Sequence, residues 1–533
     1  MTSDDVPITI VGGGPVGLAL ALVLSRQGIA SRVLEMNRTT TDHPKARGVW
    51  TRAMEIFRQW GVYEAIRARG LPDESDSIVF LDGLDCEIDR STPEPFNDES
   101  PARKSIVAQD AVEEALAAAL VDHPDADVRW ETEFVGMEEL PDGVRVTARD
   151  LKTGKQFIWT SQYLVGADGG RGSVSRMARI EHEGPPVMAL MLNTYFRADL
   201  SRYKSAKNAA GLQLRSRGPD GQPVHLLNTN GADRWLWLTR IGGDHDERPR
   251  PLTESETVDK IRRALDDSEI KVELINESVW RMTRRIAKTF RKGRVFLVGD
   301  AAHRFPPFGG FGMNSGIQDV HNLAWKFAFV LRGQASDRLL DSYDLERRPI
   351  AHANADLSLV NAARFPHIVD ALQSGNRDRV RFWLRDAENH IHSIGHTLGF
   401  SYEQGALVPD GTTPPDRTPR YYRPTDRPGS RFPHIWLDEA NTRSTLDLFD
   451  RDFVLVIGPD ADAWEVAAED VSRSLSLPII VHRLVKADPH LGFEMGPRGA
   501  ALVRPDGVTA WRIGWVSEQP KEDLSGALTN ILG

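Results

Sequence analysis

A glycine-rich turn near the amino terminus has the residue types needed to bind a phosphate group. It follows an apolar run at Val6–Val11 and opens a segment rich in alanine and leucine, an order that predicts strand, turn and helix. The first glycine permits the tight turn, the second lets the backbone approach a pyrophosphate, and the third allows close packing of helix and strand. The start of the helix offers free N–H groups to the anion. The expected contacts are Gly12, Gly14, Pro15, Val16 and Gly17.

An acidic residue follows at the spacing that ribose binding requires. The run Ser31–Leu34 predicts a second strand, and Glu35 comes directly after it. A carboxylate at the end of this strand accepts hydrogen bonds from the adenosine ribose hydroxyls. Strand, turn, helix, strand and acid together predict a dinucleotide site, without separating FAD from NAD.

Two later turns distinguish those cofactors. Residues 163–169 form a buried-strand pattern that ends in a turn with Asp168, and residues 294–303 deliver Asp300 into a second turn. An extended FAD needs groups that hold its ribityl chain, and Asp300 is a candidate acceptor for a ribityl hydroxyl. These turns favour FAD, and Asp168 and Asp300 join the predicted site.

A glycine-rich loop over residues 306–314 precedes a predicted helix. Apolar residues recur at helical spacing from Ile317 to Leu331, so the helix begins at the loop and directs its N-terminus toward a ligand. Backbone N–H groups there would stabilise the negative charge of a reduced flavin. The loop residues assigned to the cofactor are Pro307, Gly312, Met313 and Asn314.

With these motifs in order, the sequence resembles the class A flavoprotein monooxygenases, the group of para-hydroxybenzoate hydroxylase, phenol hydroxylase and the aromatic polyketide hydroxylases. The resemblance covers residue 6 to about residue 350. It includes GGGPVG with Glu35, GADG at 166–169, GDAAH at 299–303, and further matches at 52–56, 318–326 and 343–349.

The resemblance implies an enzyme that binds FAD, takes electrons from NADPH or NADH, and uses O2 to hydroxylate a phenolic or polyketide-type aromatic substrate through a flavin C4a-hydroperoxide. It also implies that Gln109 and Lys45 approach the cofactor, Lys45 standing where an arginine is usual. In the motif that follows Asp168, Gly172 and Ser175 depart from the family pattern, which leaves the choice of nicotinamide cofactor open. The resemblance names no catalytic residue.

After about residue 395 the chain resembles the thioredoxin-like C-terminal extension of the phenol and polyketide hydroxylases. The chain has one cysteine, Cys86, which lies outside this segment. The extension therefore has no cysteine for dithiol chemistry. A role in packing or assembly is expected instead. A linker is predicted at residues 409–428, where prolines fall among charged residues.

The predicted fold is α/β, with a Rossmann-type FAD-binding domain, an inserted antiparallel β-sheet substrate domain and the C-terminal thioredoxin-like domain. The FAD-binding domain is expected to comprise residues 1–75, 101–180 and 286–395, the last with a helical connection; the substrate domain 76–100 and 181–285; and the C-terminal domain 396–533.

The predicted sheet within residues 181–285 carries the candidates for substrate contact. Alternating strand patterns at 191–198 and 235–241 are separated by polar turns such as residues 217–221. One face of the sheet would cover the flavin and form the substrate cavity. The candidates, each weighed against a packing or exposed role, are Tyr195, His225, Asp233 and Arg240.

Other polar or aromatic features have simpler interpretations. Trp235 and Trp237 alternate on a strand, which is typical of core or cavity wall. The charged run 344–348 suggests ion pairing on a helix surface. His303 lacks a second ligand or a nucleophile at useful spacing, so a metal or hydrolase site is not predicted there.

Composition narrows the partners. Lys and Arg number 66 against 76 Asp and Glu, a formal net charge of -10, which argues against a nucleic-acid surface and favours a small-molecule ligand. Residues 1–7 lack the basic region of a signal peptide, and the apolar run after Pro15 is too short to span a membrane. We expect a cytoplasmic enzyme without membrane attachment, and a homodimer is compatible with the sequence.

Three alternatives stay open. A flavin-dependent halogenase shares FAD binding, but the string around Trp235 and Trp237 lacks the Ile-Pro of the halogenase WxWxIP motif. A Baeyer-Villiger-type oxygenation uses the same scaffold. A non-catalytic FAD-binding interaction protein would hold FAD without substrate-stimulated NAD(P)H oxidation.

Overall fold

The chain has 533 residues, and its structure, a computed structural model, describes residues 5–95, 98–215, 223–242, 250–485, 491–515 and 517–533. The α-helices are, in chain order, α1 (Pro15–Arg26), α2 (Thr51–Gln59), α3 (Tyr63–Arg67), α4 (Gln109–Leu120), α5 (Ser173–Met177), α6 (Glu254–Leu265), α7 (Phe311–Leu331), α8 (Ser342–Ser374), α9 (Arg377–Ile391), α10 (Ile394–Leu398), α11 (Asp462–Leu475) and α12 (Pro520–Leu532). The predicted turn at residues 217–221 lies outside the described residues.

The strands are, in chain order, β1 (Val6–Val11), β2 (Ser31–Leu34), β3 (Arg47–Val49), β4 (Ile78–Leu81), β5 (Glu87–Arg90), β6 (Ser105–Ala108), β7 (Ala126–Arg129), β8 (Thr132–Leu140), β9 (Gly143–Asp150), β10 (Gln156–Gly166), β11 (His182–Glu183), β12 (Ala189–Arg197), β13 (Gly211–Leu214), β14 (Val224–Asn228), β15 (Arg234–Gly242), β16 (Glu273–Met282), β17 (Arg285–Ala287), β18 (Arg291–Lys292), β19 (Val295–Leu297), β20 (His303–Arg304), β21 (Phe453–Ile457), β22 (Ile479–Arg483), β23 (Ala500–Val503) and β24 (Thr509–Ile513).

The first large sheet is built around five adjacent parallel strands, β19, β10, β1, β2 and β7. Its order is β18-β19-β10-β1-β2-β7, and β9 and β8 extend it from β10. Strand β1 pairs in parallel with both β10 and β2, and β10 pairs in parallel with β19. These strands are buried on both faces, as continuous apolar runs predict. The predicted strands Val6–Val11 and Ser31–Leu34, with helix α1 between them, are confirmed.

The second large sheet has the order β16-β12-β15-β14-β13-β4-β5. Adjacent strands in this sheet are antiparallel, except that β13 and β4 are parallel. The sheet that was expected to be antiparallel is therefore mixed near one edge. Trp235 and Trp237 lie in a buried apolar cluster with Ile261 and Leu265 of α6. These tryptophans therefore belong to the core on the α6 side of the sheet.

A four-stranded sheet near the carboxyl end has the order β22-β21-β23-β24. Helices α11 and α12 cover one of its faces, and Trp325 and Phe329 of α7 join the same apolar cluster. Packing thus joins this sheet to the helix that follows the glycine-rich loop. No described helix combines the length and the apolar character that a membrane crossing requires.

The segment 409–428 differs from the predicted linker. Asp426 is fully buried and accepts a hydrogen bond from the backbone N–H of Met495 at 3.0 Å. Arg427 donates to Ser401 Oγ at 2.8 Å. Prolines and charges alone suggested an exposed connection, but the charged residues at the end of this segment have partners inside the protein.

Candidate cofactor site

The predicted glycine turns meet at one edge of the first sheet. Each follows the carboxyl end of a parallel strand, namely β1, β10 or β19, and these strands are neighbours. Carboxyl ends of adjacent parallel strands share one edge of a sheet, which is where α/β proteins bind nucleotides. The sheet topology therefore brings three distant sequence motifs together.

Contacts between the turns are close enough to require glycine. A Cβ atom at Gly12, where φ is +111°, would lie 2.3 Å from the carbonyl oxygen of Ala167 in the second turn. Val16 fills the space beside the third turn, where a Cβ at Gly299 would lie 3.0 Å from its side chain. A Cβ at Gly17 would lie 1.9 Å from the carbonyl oxygen of Gly12. These glycines are needed for packing of the protein itself.

Two other glycines border open space. Apart from adjoining residues, a Cβ at Gly14 would meet only Glu113 Oε1, at 4.0 Å, among the described residues. A Cβ at Gly312 would meet only Asp300 Oδ1, at 3.6 Å, in the same part of the structure. Protein packing does not explain why these positions are glycine. Close approach of a ligand to the backbone would explain them.

Glu35 lies at the end of β2, beside the first turn. Its Oε2 accepts from the backbone N–H of Gly13 at 2.7 Å, and Oε1 accepts from the backbone N–H of Asn37 at 2.8 Å. These bonds fix the orientation of the carboxylate. Oε1 also accepts from Asn37 Nδ2 at 2.6 Å, so Oε2 is the oxygen with a second lone pair for a ligand hydroxyl.

Helix α4 contributes a buried polar pair to this region. Gln109, at its first residue, donates to Glu113 Oε1 at 2.7 Å, and the backbone N–H of Thr41 donates to Glu113 Oε2 at 2.8 Å. Burial raises the pKa of Glu113, although the positive charge of Lys45 opposes that rise. Lys45 is exposed. Glu113 was not among the predicted site residues, although its spacing of four residues from Gln109 places both on one helix face.

Asp168 has one oxygen in use and one free. Its Oδ2 accepts from the backbone N–H groups of Ser173 and Val174 at the start of α5. Its Oδ1 is buried and has no hydrogen-bond partner among the described residues. Burial raises the pKa of this carboxyl, against the opposing effect of those backbone bonds. The capping role was not predicted, and the unpaired oxygen can accept a bond from a ligand.

Asp300 lies in the short 3-10 turn Gly299–Ala301. Its side chain is exposed to solvent, yet enough protein surrounds it for burial to raise its pKa, against the opposing charges of His303 and Arg304. A carboxylate inside an open crevice has both properties. It is accessible to a ligand hydroxyl in the crevice.

The loop before α7 presents the start of that helix to the same region. Gly310 precedes the helix with φ at +66°, and no side chain caps the helix N-terminus. The N–H groups of Gly312, Met313 and Asn314 lie in its first turn, where backbone donors have no partner within the helix. Pro307 is exposed on the loop.

Trp50 fixes this loop against β3. Its indole N–H donates to the carbonyl oxygen of Gly309 at 2.8 Å, and its backbone N–H donates to Asn314 Oδ1 at 2.7 Å. The Asn314 side chain is thus used by the protein, whereas its backbone N–H faces the helix start. The sequence did not predict this role of the Asn314 side chain, because its partner Trp50 is far away in the chain.

A buried ion network supports the third turn from behind. Asp319 Oδ2 accepts from the backbone N–H of Gly299 at 3.1 Å and from His303 Nε2 at 2.6 Å. Asp319 Oδ1 accepts from Arg347 Nε at 2.9 Å. Burial alone would raise the pKa of Asp319, but the charges of His303 and Arg347 lower it. His303 is therefore a structural partner of Asp319.

The charged run 344–348 was predicted to pair on a helix surface, and this prediction is wrong for its central residues. Glu346 and Arg347 are both 1% exposed. Glu346 binds Arg504, which lies 158 residues away in sequence, at 2.8 Å. Charges in such a pattern are usually solvated. Here Arg504 and Lys326 compensate Glu346. Asp319 compensates Arg347.

The four substrate candidates separate into two groups. Tyr195 is buried near Thr229, and His225 faces Phe365 of α8 with ring centroids 4.7 Å apart. Asp233 instead accepts from Asn230 within an exposed hairpin, and Arg240 donates to Gly242 of its own strand. Tyr195 is buried and His225 is partly buried, whereas Arg240 is exposed, so Tyr195 and His225 stay candidates for substrate contact and Asp233 and Arg240 have the surface role that was weighed against it.

Arg47, which was not among the predicted site residues, connects β3 to the second sheet. Its guanidinium donates to the carbonyl oxygens of Ala210 and Asn228. Burial lowers its pKa to about 10, against the opposing charge of Asp76. No signal in the sequence distinguished it from a surface arginine.

The described residues contain no group of three or more His, Cys, Asp or Glu side chains placed to hold a metal ion. What they present is glycine-lined backbone, helix N-termini and carboxylates along one edge. This donor set fits the phosphates, ribose and ribityl chain of an extended dinucleotide.

Comparisons with known families agree with that chemistry. The FAD binding domain family matches residues 5–358, and the family described as aromatic-ring hydroxylase, C-terminal, matches residues 425–533. Tetracenomycin A2 monooxygenase-dioxygenase of Streptomyces glaucescens is 33% identical, covering 100% of this chain and 98% of the relative. Aklavinone 12-hydroxylase RdmE of Streptomyces purpurascens is 33% identical, with 100% of both chains covered.

Solved structures of similar chains include cofactor complexes. The flavin-dependent monooxygenase PieE, in complex with FAD and substrate, matches with a TM-score of 0.91 at 31% identity over 100% of both chains. A ternary complex of aklavinone-11 hydroxylase with FAD and aklavinone matches with a TM-score of 0.86 at 30% identity, again over 100% of both chains. With its converging turns and both family matches, the chain belongs to the FAD-dependent aromatic-ring hydroxylases.

Proposed function

We propose that this protein hydroxylates a phenolic or polyketide-type aromatic compound, using FAD, O2 and electrons from NAD(P)H. The observation that carries the proposal is the meeting of three glycine turns at one sheet edge, with open space at Gly14 and Gly312. The relatives named above are a tetracenomycin A2 monooxygenase-dioxygenase and an aklavinone 12-hydroxylase, and a putative polyketide hydroxylase of Streptomyces halstedii is 32% identical. Bound FAD would supply the electron transfer and the activated oxygen.

The proposed cofactor contacts follow the order of the turns. Gly12, Gly14, Pro15, Val16 and Gly17 would hold the pyrophosphate at the start of α1, and Glu35 the adenosine ribose. Lys45 and Gln109 would lie near the phosphates. Asp168 and Asp300 would accept from cofactor hydroxyls, the first through its unpaired Oδ1.

The start of α7 would face the redox-active ring. Pro307 would lie beside the ring, and backbone N–H groups of Gly312, Met313 and Asn314 would stabilise negative charge on it. The loop is held by Trp50 through Gly309, so these donors are positioned before the cofactor binds. Preorganised donors of this kind cost no rearrangement during the reaction.

The proposed domain arrangement keeps the boundaries given from sequence. It combines a Rossmann-type FAD-binding domain (1–75, 101–180, 286–395), a substrate domain (76–100, 181–285) and a thioredoxin-like C-terminal domain (396–533). The parallel order β19-β10-β1-β2 supports the first and the mixed seven-stranded sheet supports the second. The third is supported by the four-stranded sheet flanked by α11 and α12.

The decisive experiment measures flavin reduction in the FAD-loaded protein. We expect phenolic ligands to accelerate reduction by NADPH or NADH, and labelled O2 to place one labelled oxygen atom in the product. Non-aromatic cyclic alcohols serve as the matched control and should leave the reduction rate unchanged. A rate that stays flat across phenols of graded size would overturn the proposal, as would a flavoprotein that reduces O2 without forming product.

A further inference from the structure

The face of the second sheet that points away from α6 carries a short row of polar side chains. Gln213 on β13 pairs with His225 on β14, and His225 pairs with Leu238 on β15. Residues directly opposite one another in neighbouring strands project to the same face. Their neighbours Leu226 and Trp237 are buried on the α6 side. Gln213 and His225 therefore project to the opposite face.

That face meets α8 and the glycine-rich loop. The ring of His225 lies 4.7 Å from that of Phe365, centroid to centroid, and Phe365 lies 5.3 Å from Phe308 of the loop. Asn361, one helical turn before Phe365, donates from Nδ2 to the carbonyl oxygen of Phe308 at 3.4 Å. The row is thus connected through aromatic contacts to the loop next to the proposed flavin site.

Three polar atoms in this cluster are buried without a hydrogen-bond partner among the described residues. They are Gln213 Oε1, His225 Nδ1 and Asn361 Oδ1. Leaving a buried polar atom unpaired is costly, and native proteins do so rarely. Three such atoms around two phenylalanine rings match a site that awaits a polar aromatic ligand.

The chemistry of the unpaired atoms limits what the ligand carries. The amide oxygens of Gln213 and Asn361 accept hydrogen bonds and cannot donate them. Burial lowers the pKa of His225 to about 4, so its imidazole is neutral at physiological pH and has one nitrogen that accepts. Two acceptors and a neutral imidazole fit hydroxyl groups on a substrate.

We propose that Gln213, His225 and Asn361 form a subsite that binds hydroxyl substituents of the aromatic substrate, and that the substrate is polyhydroxylated rather than a simple phenol. The inference rests on the proposed function, since it assigns the substrate class of the same site. Phe308 and Phe365 contact the aromatic rings, while the three polar side chains select the substituents.

The test measures ligand binding by the FAD-loaded protein through changes in the flavin absorbance spectrum. The probes are a dihydroxyanthraquinone, its dimethoxy counterpart and unsubstituted anthraquinone, which share a ring system but differ in hydroxyl donors. We expect the dihydroxy compound to bind about tenfold tighter or more, the effect of one or two hydrogen bonds. Equal binding of the three, or binding of none, overturns the proposal.

Variants separate hydrogen bonding from packing. Gln213→Met and His225→Phe keep similar volume and should remove most of the preference for the dihydroxy compound, leaving the Kd of the dimethoxy compound within about twofold. Leu238→Met, on the same row, is the matched control and should keep the preference. If Gln213→Met and His225→Phe weaken all three ligands by one factor, the residues only pack and the subsite is refuted.

Failure of the subsite differs from failure of the proposed function. A wild-type protein that retains FAD and shows phenol-stimulated NAD(P)H oxidation, but does not distinguish the dihydroxy ligand, refutes the subsite alone. A wild-type protein without stimulated oxidation by any phenol refutes the hydroxylase.

Discussion

Helix α8 buries polar side chains in opposite ways along its two halves. In the first half, Glu346 accepts from both terminal nitrogens of Arg504 at 2.8 and 2.9 Å and from Lys326 at 2.9 Å. In the second half, the amide oxygen of Asn361 has no hydrogen-bond partner among the described residues, and neither do Gln213 Oε1 and His225 Nδ1 across from it. One half has its charges matched, whereas the other half has unmet hydrogen-bonding capacity.

The difference separates polar groups that stabilise the fold from polar groups that are available to bind a ligand. Burial would raise the pKa of Glu346, but the charges of Arg504 and Lys326 lower it to about 2. A fully compensated buried cluster of this kind fixes how segments pack, and here it ties the carboxyl-terminal hairpin to α7 and α8. Buried polar atoms without partners instead need water, an ion or a ligand to complete their hydrogen bonds.

The largest effect is expected from disrupting the ion cluster around Glu346 in the first half of α8. Arg504→Met leaves Glu346 and Asp506 buried without their shared cation, which should cost about 3 to 5 kcal/mol of stability. Thermal melting measures the loss. Lys288→Met, at the exposed pair with Glu181, is the control and should leave Tm unchanged. A Tm for Arg504→Met equal to that of the control would show that the network does not hold the fold.

A smaller effect is expected at the carboxylate in the cofactor crevice. Asp300→Asn should weaken FAD binding by about ten- to a hundredfold, because a hydrogen bond to a charged acceptor is lost. Titration of the apoprotein with FAD gives this value. Unchanged affinity would remove Asp300 from the site.

The same variant has a predictable pH dependence in the apoprotein. The pKa of Asp300 is raised on folding because burial disfavours its charged form. Its ionisation therefore destabilises the folded apoprotein as pH rises above the ordinary carboxyl pKa of about 4. Asp300→Asn should melt at the same temperature as wild type at low pH and at a higher temperature at neutral pH. A lower Tm at neutral pH would contradict this.

The next effect compares two glycines of one turn. Gly14→Ala adds a methyl group where the protein leaves room, so the apoprotein should melt normally while FAD affinity falls about tenfold or more. Gly17→Ala is the contrasting variant, because its Cβ would collide with the carbonyl of Gly12 at 1.9 Å, and it should lower the Tm of the apoprotein. Identical behaviour of the two variants would mean that Gly14 also serves packing.

The smallest effect is expected at the unpaired polar side chains that face the second half of α8. Gln213→Met removes an amide oxygen that has no bond to lose, so the unfolding free energy of the apoprotein should change by less than about 1 kcal/mol. Thermal melting beside Arg504→Met gives the comparison directly. A large destabilisation would show that Gln213 has a structural role and would weaken the distinction between the halves of α8.

Local patterns were the predictable part of this molecule. Val6–Val11, the turn after it and Ser31–Leu34 form as expected because apolar runs and glycines determine them over a few residues. Gln109 and Glu113 are four residues apart, so the sequence alone could also have placed Glu113 beside Gln109 on one face of α4. Sequence patterns that extend over a few residues thus predict individual helices, strands and turns, and they predict the part of the candidate site that the first turn forms.

Long-range pairings could not be predicted in the same way. Arg47 reaches carbonyl oxygens in β13 and β14 or next to them, and Glu346 depends on Arg504. Nothing local distinguishes these charges from solvated ones. His225 and Arg240 project from the same face of the second sheet, yet His225 lies against Phe365 of α8 and Arg240 is exposed. The difference depends on which part of that face α8 covers, which the alternating pattern alone left open.

The valine of the first turn has a mechanical consequence. Val16 lies against Gly299, and a Cβ at Gly316 in α7 would lie only 2.4 Å from its methyl carbon. One side chain thus lies between the first turn, the third turn and α7, and its volume sets the spacing of these three segments. A bulkier residue at position 16 would push them apart and displace the backbone that lines the predicted cofactor site.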